Sequence, residues 1–171
     1  FSSLRKRLAS RGTASMKYPS WYSLWNFRNI DNLSVERILT PDVCYGATMY
    51  LDSGEHYHND TSYAFVLKNP DSNLYKTYLA ILNSPIIWFY LKETGTSLRG
   101  GYFRFKTKYL ENFPLPTATP EQQQTLAALA DQMLAAHTQL ASAKSDADKK
   151  TLQQRIAILD LQINAQVYAL Y

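Results

Sequence analysis

Three prolines in eight residues, in Phe113-Pro-Leu-Pro-Thr-Ala-Thr-Pro120, forbid regular helix through that stretch and mark a rigid connection between two unlike regions. The 171-residue chain therefore reads as residues 1–117 followed by residues 118–171. Directly after the break, Thr119 stands at an N-cap, Pro120 at the first helical position and Gln122 three residues past the cap, the signature of a helix start. Leu126, Leu129, Met133, His137 and Leu140 recur at steps of three and four, as do Leu152, Ile156, Leu159, Ile163, Gln166 or Val167, and Leu170. Between them Ala143-Lys-Ser-Asp-Ala-Asp-Lys-Lys150 is polar and free of proline, which fits a turn between antiparallel helices or one continuous helix; the hairpin is the favoured form. Seams this narrow bury little alone, so the hairpin should dock on another helix or on the front region. It then serves as a spacer or docking arm, with room for self-association, or as the last layer of the domain itself.

The front region carries short segments rich in β-branched and aromatic residues, at Val35 to Leu39, Thr48 to Leu51 and Thr61 to Lys68, separated by Asp, Gly, Asn and Pro. From Asn73 to Glu93 the period changes: Leu74, Tyr78 and Leu82, then Ile86, Phe89 and Tyr90, fit two helices broken at Ser84-Pro85. The expected fold is α+β: a small mixed sheet domain with covering helices, followed by a C-terminal two-helix hairpin.

Charge is unevenly distributed. Residues 1–117 hold 14 basic residues against nine acidic, whereas residues 118–171 hold four against five. Arg5, Lys6, Arg7, Arg11, Lys17 and Arg28 precede the first acidic residue. Such asymmetry suits an anionic partner, and equally a solvated basic face. A single cysteine, Cys44, makes no internal disulfide and fits a reducing cytoplasm. The chain does not begin with Met and is expected to be a fragment. Its longest strongly apolar stretch, Pro85 to Leu91, is far too short to span a bilayer, so no membrane partner is expected.

The most distinctive segment is Leu98-Arg-Gly-Gly-Tyr-Phe-Arg-Phe-Lys-Thr-Lys-Tyr-Leu110. Gly100 and Gly101 allow close backbone approach, while Arg104, Lys106 and Lys108 alternate with Phe103, Phe105 and Tyr109. If extended, the segment puts its cations on one face, suited to a phosphate backbone. The same pattern fits a strand whose Phe face is core and whose basic face is merely wet, and composition leaves both readings open. A second candidate runs from Lys17 to Arg28, where Trp21, Tyr22, Trp25 and Phe27 lie between basic residues and can either stack on bases or pack on a sheet; packing is favoured for the tryptophans. Glu55-His-Tyr-His-Asn-Asp60 offers a His-x-His pair, but no matching ligands stand elsewhere at metal-site spacing, and a polar turn between strands is the better reading. His137 on its apolar stripe is read as a packed or half-buried histidine and is assigned no role. Glycine-rich phosphate loops, nucleophile elbows and paired zinc cysteines are missing, as is the Asn/Asp-Pro-Pro-Tyr/Phe motif of DNA amino-methyltransferases; the nearest string is Lys68-Asn-Pro-Asp-Ser. No catalytic or metal residue is assigned.

Leu82-Asn-Ser-Pro-Ile-Ile-Trp-Phe-Tyr-Leu-Lys92, then Leu98-Arg-Gly-Gly-Tyr-Phe-Arg-Phe, then Tyr109-Leu-Glu-Asn-Phe-Pro-Leu-Pro116 resemble, in order and spacing, the TaqI-like C-terminal specificity domain. Trp21-Tyr-Ser-Leu and Arg37-Ile-Leu-Thr-Pro41 look like that family's aromatic segment and first strand, and the helices ending at Val167-Tyr-Ala-Leu-Tyr171 look like its closing helix, so the resemblance extends over nearly the whole chain. In that family the domain is the target-recognition half of single-chain type II restriction-modification methylases, and it resembles half of a type I specificity subunit. The resemblance implies a double-stranded DNA partner and a separate N-terminal methyltransferase domain that binds S-adenosylmethionine and flips an adenine. A nuclease domain is compatible with it too, and no cofactor is implied for this chain. Base readers would lie on loops in which members differ. Arg99, Gly100, Gly101, Tyr102, Arg104, Lys106 and Lys108, with Lys17 and Arg28, are therefore assigned to DNA backbone contact or to holding those loops. The alternative is a helical assembly module whose basic surface is incidental.

Overall fold

The computed structural model describes residues 2–10, 20–23, 33–59 and 61–171. The chain divides into two compact units, Phe1–Asn32 and Leu33–Tyr171. In the first, α1 (Ser2–Ala9) ends with Lys6 and Arg7 in its last turn, where cations complement the helix dipole. Ser10 closes it by donating from its backbone N–H to the Lys6 carbonyl and from its hydroxyl to the Arg7 carbonyl. Trp21 and Tyr22 meet edge to face at 5.5 Å. Lys17, Trp25, Phe27 and Arg28 lie outside the described residues.

The second unit is built on β1 (Arg37–Pro41), whose Arg37, Ile38 and Thr40 are fully buried. It lies between β3 (Tyr50–Asp52) and β4 (Ser62–Phe65) in a three-stranded antiparallel sheet, with Ile38 opposite both Leu51 and Phe65. A second antiparallel sheet has β6 (Phe103–Arg104) between β2 (Val43–Cys44) and β5 (Thr96–Ser97). These three strands are two residues long, below what alternation of side chains can reveal in a sequence.

The helices begin where their caps stand. In α2 (Ser72–Leu82) the Asp71 carboxylate accepts from the Leu74 N–H. The Ser84-Pro85 break then starts α3 (Pro85–Thr94), with proline at the first position. Between them, Asn83 accepts from the Met49 N–H at 2.7 Å and donates to the Met49 carbonyl at 3.1 Å, pinning the β2–β3 connection to the helices. A short α4 (Thr107–Leu110) precedes the prolines. The expected capping box opens α5 (Pro120–Ser142): Thr119 accepts from the Gln122 N–H, and Gln122 accepts from the Thr119 N–H. Ser145 caps α6 (Asp146–Tyr168) by accepting from the Asp148 N–H while its hydroxyl donates to the Asp148 carboxylate, so the polar stretch is a turn and the two helices form a hairpin.

This hairpin packs on α2, and Leu126, Ile163 and Val167 join the same core as Ile38, Tyr75, Ile81, Ile87, Leu91 and Phe105. The buried face of α5 is displaced from the expected stripe: Ala127, Ala130 and Ala136 are buried with Leu126, and His137 is exposed. Alanine lets helix backbones approach closely, so contact follows the small residues as well as the large ones. On α6 the choice falls on Val167, fully buried, over Gln166.

Because the hairpin completes the sheet's core, Ile81→Ala and Leu126→Ala should each cost about 2–5 kcal/mol within one cooperative urea transition. A second, separate transition in Leu126→Ala would mean that the hairpin unfolds on its own.

Candidate nucleic-acid interface

The segment from Leu98 to Leu110 forms a hairpin turn, a strand and a helix in succession. Across the β5–β6 turn the Leu98 N–H donates to the Tyr102 carbonyl at 2.7 Å, and Gly100 and Gly101 take φ values of 85° and 80°. Two successive left-handed residues are the reason for the glycine pair. At Gly101 a side chain would also stand 3.0 Å from the Tyr45 ring. Tyr45 and Tyr102, both exposed, meet at 5.6 Å and flank the turn, with Arg99 exposed at its tip.

Beyond the turn, Phe105 is fully buried, and Phe103 lies half-buried 5.3 Å from Trp88. The extended backbone ends there, because α4 starts at Thr107. The cations consequently do not share one strand face. Arg104 donates from Nε and a terminal nitrogen to the Asp42 carboxylate, at 3.0 and 2.9 Å. Lys106 is the N-cap residue of α4, and Lys108 lies exposed in that helix with Nζ 4.6 Å from the centre of the Tyr109 ring. A hydroxyl–hydroxyl bond from Tyr109 to Thr96 ties α4 to β5. That bond and the Lys108 ammonium hold the Tyr109 phenol below its ordinary pKa. Arg99, Gly100, Gly101 and Tyr102 are thus grouped in one turn, with Lys106 capping and Lys108 within the helix that follows; Lys17 and Arg28 lie outside the described residues.

Asp42, between β1 and β2, went unassigned in the sequence. Its N–H donates to the Thr61 carbonyl and its carbonyl accepts from the Phe105 N–H. Its carboxylate accepts from the Tyr63 hydroxyl at 3.1 Å as well as from Arg104. Nothing in a run of strand-forming residues marks such an aspartate in advance, since each of its partners is at least 19 positions away.

Arg37 and Asp52 form a second polar centre. They stand directly opposite each other on β1 and β3, fully buried, with guanidinium and carboxylate 2.8 Å apart. The other carboxylate oxygen of Asp52 is 2.7 Å from His56 Nδ1, and Arg37 donates to the His56 carbonyl. Burial opposes ionisation of Asp52, but the His56 hydrogen bond and the Arg37 charge outweigh it and hold the carboxyl below its ordinary pKa. The Glu55 to Asn59 stretch is accordingly a polar turn between strands, and among the described residues no group of three or more His, Cys, Asp or Glu is placed to hold a metal ion. Burial pushes the Cys44 thiol up, which disfavours the reactive thiolate.

The model of the TaqI-like C-terminal specificity domain family matches residues 4–115. The match takes in the sheets, α2 to α4 and the glycine turn, and stops short of α5 and α6, a shorter reach than the near-whole-chain resemblance. No curated protein matches the chain. Among the described residues no helix is long and apolar enough to cross a membrane.

The depressed Asp52 pKa fixes the sign of an acid effect. Stability from ionised Asp52 is complete above the unfolded-state value of about 3.9 and is lost as the pH falls through the lower folded value. Asp52→Asn should cost about 3–5 kcal/mol near neutrality by leaving Arg37 without its counter-charge. Urea midpoints for the two proteins should converge as the pH falls below the unfolded-state value and through the lower folded one; a gap independent of pH would refute the ion-pair account.

Proposed function

Because the chain belongs to the family of TaqI-like C-terminal specificity domains, we propose that it recognises a specific sequence in double-stranded DNA on behalf of a restriction-modification adenine methyltransferase. The family supports DNA sequence recognition in restriction-modification systems. The observation that carries the reading to particular residues is the exposed turn with two left-handed glycines. There the backbone can approach a phosphate closely, and Arg99, Lys106 and Lys108 supply positive charge with no acidic residue between Glu93 and Glu111. In this reading Gly100 and Gly101 shape the turn, and Tyr102, packed on Tyr45, braces it. Arg104 holds the segment in place through Asp42 while half-exposed beside the phosphates. Lys17 and Arg28, basic positions of the sequence, are assigned to DNA backbone contact in the same reading.

Methyl transfer, with S-adenosylmethionine, is the work of the protein's own N-terminal methyltransferase domain, and this chain supplies the address. The setting is cytoplasmic, in keeping with one buried, unpaired thiol. One observation favours an accompanying assembly role: Ile158, Leu161 and Tyr168 are 57, 71 and 55% exposed at helical spacing on α6, a face suited to self-association through the hairpin.

Titration of labelled duplexes over a salt series tests the reading. Wild-type affinity should fall steeply with salt, and Arg99→Ala/Lys106→Ala/Lys108→Ala should reduce the log–log slope by about one for each cation that meets a phosphate. An unchanged slope in the triple variant would remove these residues from the interface, and an absence of binding at low salt would favour the assembly role.

A further inference from the structure

We propose that the β3–β4 connection, Ser53 to Asn59, is the base-reading element of this domain, with Tyr57 and His58 as its contact residues and the buried Arg37–Asp52 pair as the device that positions it. The proposal rests on the DNA-recognition reading and adds to it a division of labour between two loops.

Chemistry separates the loops. Phosphate contact calls for cations, which the Leu98 to Lys108 segment supplies, whereas Ser53 to Asn59 contains neither Lys nor Arg. Instead it carries a carboxylate, two imidazoles, a phenol and an amide, a mixed set of donors and acceptors of the kind that base edges in the major groove present in return. The carboxylate of Glu55 is repelled by phosphate, so the loop adds little to indiscriminate binding and penalises a misplaced backbone. Tyr57 is 85% exposed, and a large ring left in water on a held loop is unusual unless a partner covers it.

The loop is also held in place far more firmly than its exposure requires. At its start Gly54 takes φ 93°, and a side chain there would come within 2.6 Å of the Ser34 backbone. In the middle, the His56 carbonyl accepts from Arg37, its Nδ1 meets Asp52, and its ring lies edge-on to Tyr50 at 6.0 Å. At its far end the Asn59 side-chain oxygen accepts from the Thr61 N–H at 3.0 Å and from the Thr61 hydroxyl. Between these fixed points Tyr57 is exposed and His58 half-buried, with His58 Nδ1 3.3 Å from the Asn59 carbonyl oxygen. Direct readout depends on such rigidity, because a hydrogen-bonding group discriminates between bases only when it cannot move to satisfy the wrong one. A fully buried arginine–aspartate pair is costly to bury, and here both of its members also bond to His56 of that loop.

The test uses the full chain. A randomised duplex library is selected with wild type, and affinities for the selected and for a scrambled duplex are then measured across salt for wild type, Tyr57→Ala/His58→Ala and Asp52→Asn. The loop variant should keep wild-type affinity and salt slope on the scrambled duplex while its preference for the selected duplex falls about tenfold or more. Asp52→Asn should lose the same preference while keeping scrambled-duplex affinity, which a chain that had merely unfolded would not; should it fail to fold, the exposed loop variant decides alone. Selection of the same motif with undiminished preference by the loop variant overturns the inference and leaves DNA recognition standing. Loss of scrambled-duplex affinity together with salt slope makes the loop a phosphate contact and also overturns it. Wild type that binds no duplex, or prefers none, overturns the recognition reading and this inference together.

Discussion

Strands of two residues cannot sustain a sheet by their own pairing, and the sheet of β2, β5 and β6 contains nothing longer. It persists because the chain passes from β1 into β2 through one residue, Asp42, whose polar groups engage both sheets at once. Backbone and carboxylate reach Thr61 and Tyr63 on one side and Phe105 and Arg104 on the other. A nearly buried carboxylate that accepts from a guanidinium and a phenol is well compensated for its lost hydration. Its geometry fixes the direction in which β6, and hence the glycine turn, leaves the core. Arg104 therefore cannot be treated as equivalent to the exposed Arg99 and Lys108, although the three look alike in sequence.

The core gathered around this junction does not end at the proline break. Residues on both sides of Phe113-Pro-Leu-Pro-Thr-Ala-Thr-Pro120 contribute buried side chains to one cluster, from Ile38 and Phe105 to Leu126 and Val167. Prolines interrupt the backbone's hydrogen-bonding pattern without separating what it packs, since burial answers to proximity in space. The span matched by the family model ends at Leu115, so that part of the chain relies on hairpin residues outside it to close its own core.

Two kinds of polar loop emerge on this scaffold. One is glycine-shaped, basic and aromatic, ending in α4; the other carries mixed hydrogen-bonding groups without Lys or Arg and is tethered by Arg37 and Asp52. A duplex presents two chemically different surfaces, a uniform anionic backbone and variable base edges, and the proposed reading assigns one loop to each. The helix face of Ile158, Leu161 and Tyr168 is apolar, and it is chemically unlike both loops.

Local chemistry was enough to determine much of this from sequence: the α5 capping box, the Ser84-Pro85 break, the hairpin turn and the α+β class are each set by residues within a few positions of one another. Short-range rules carry such features because their energetics are short-range. Only tertiary structure decided that Arg104 belongs to Asp42, that Arg37 and Asp52 pair inside the sheet, that Phe105 ends the extended segment, and that α5 makes contact through alanines. Each of those depends on groups far apart in sequence meeting where water is excluded, and the strength of a charge or an apolar surface there is set by what surrounds it.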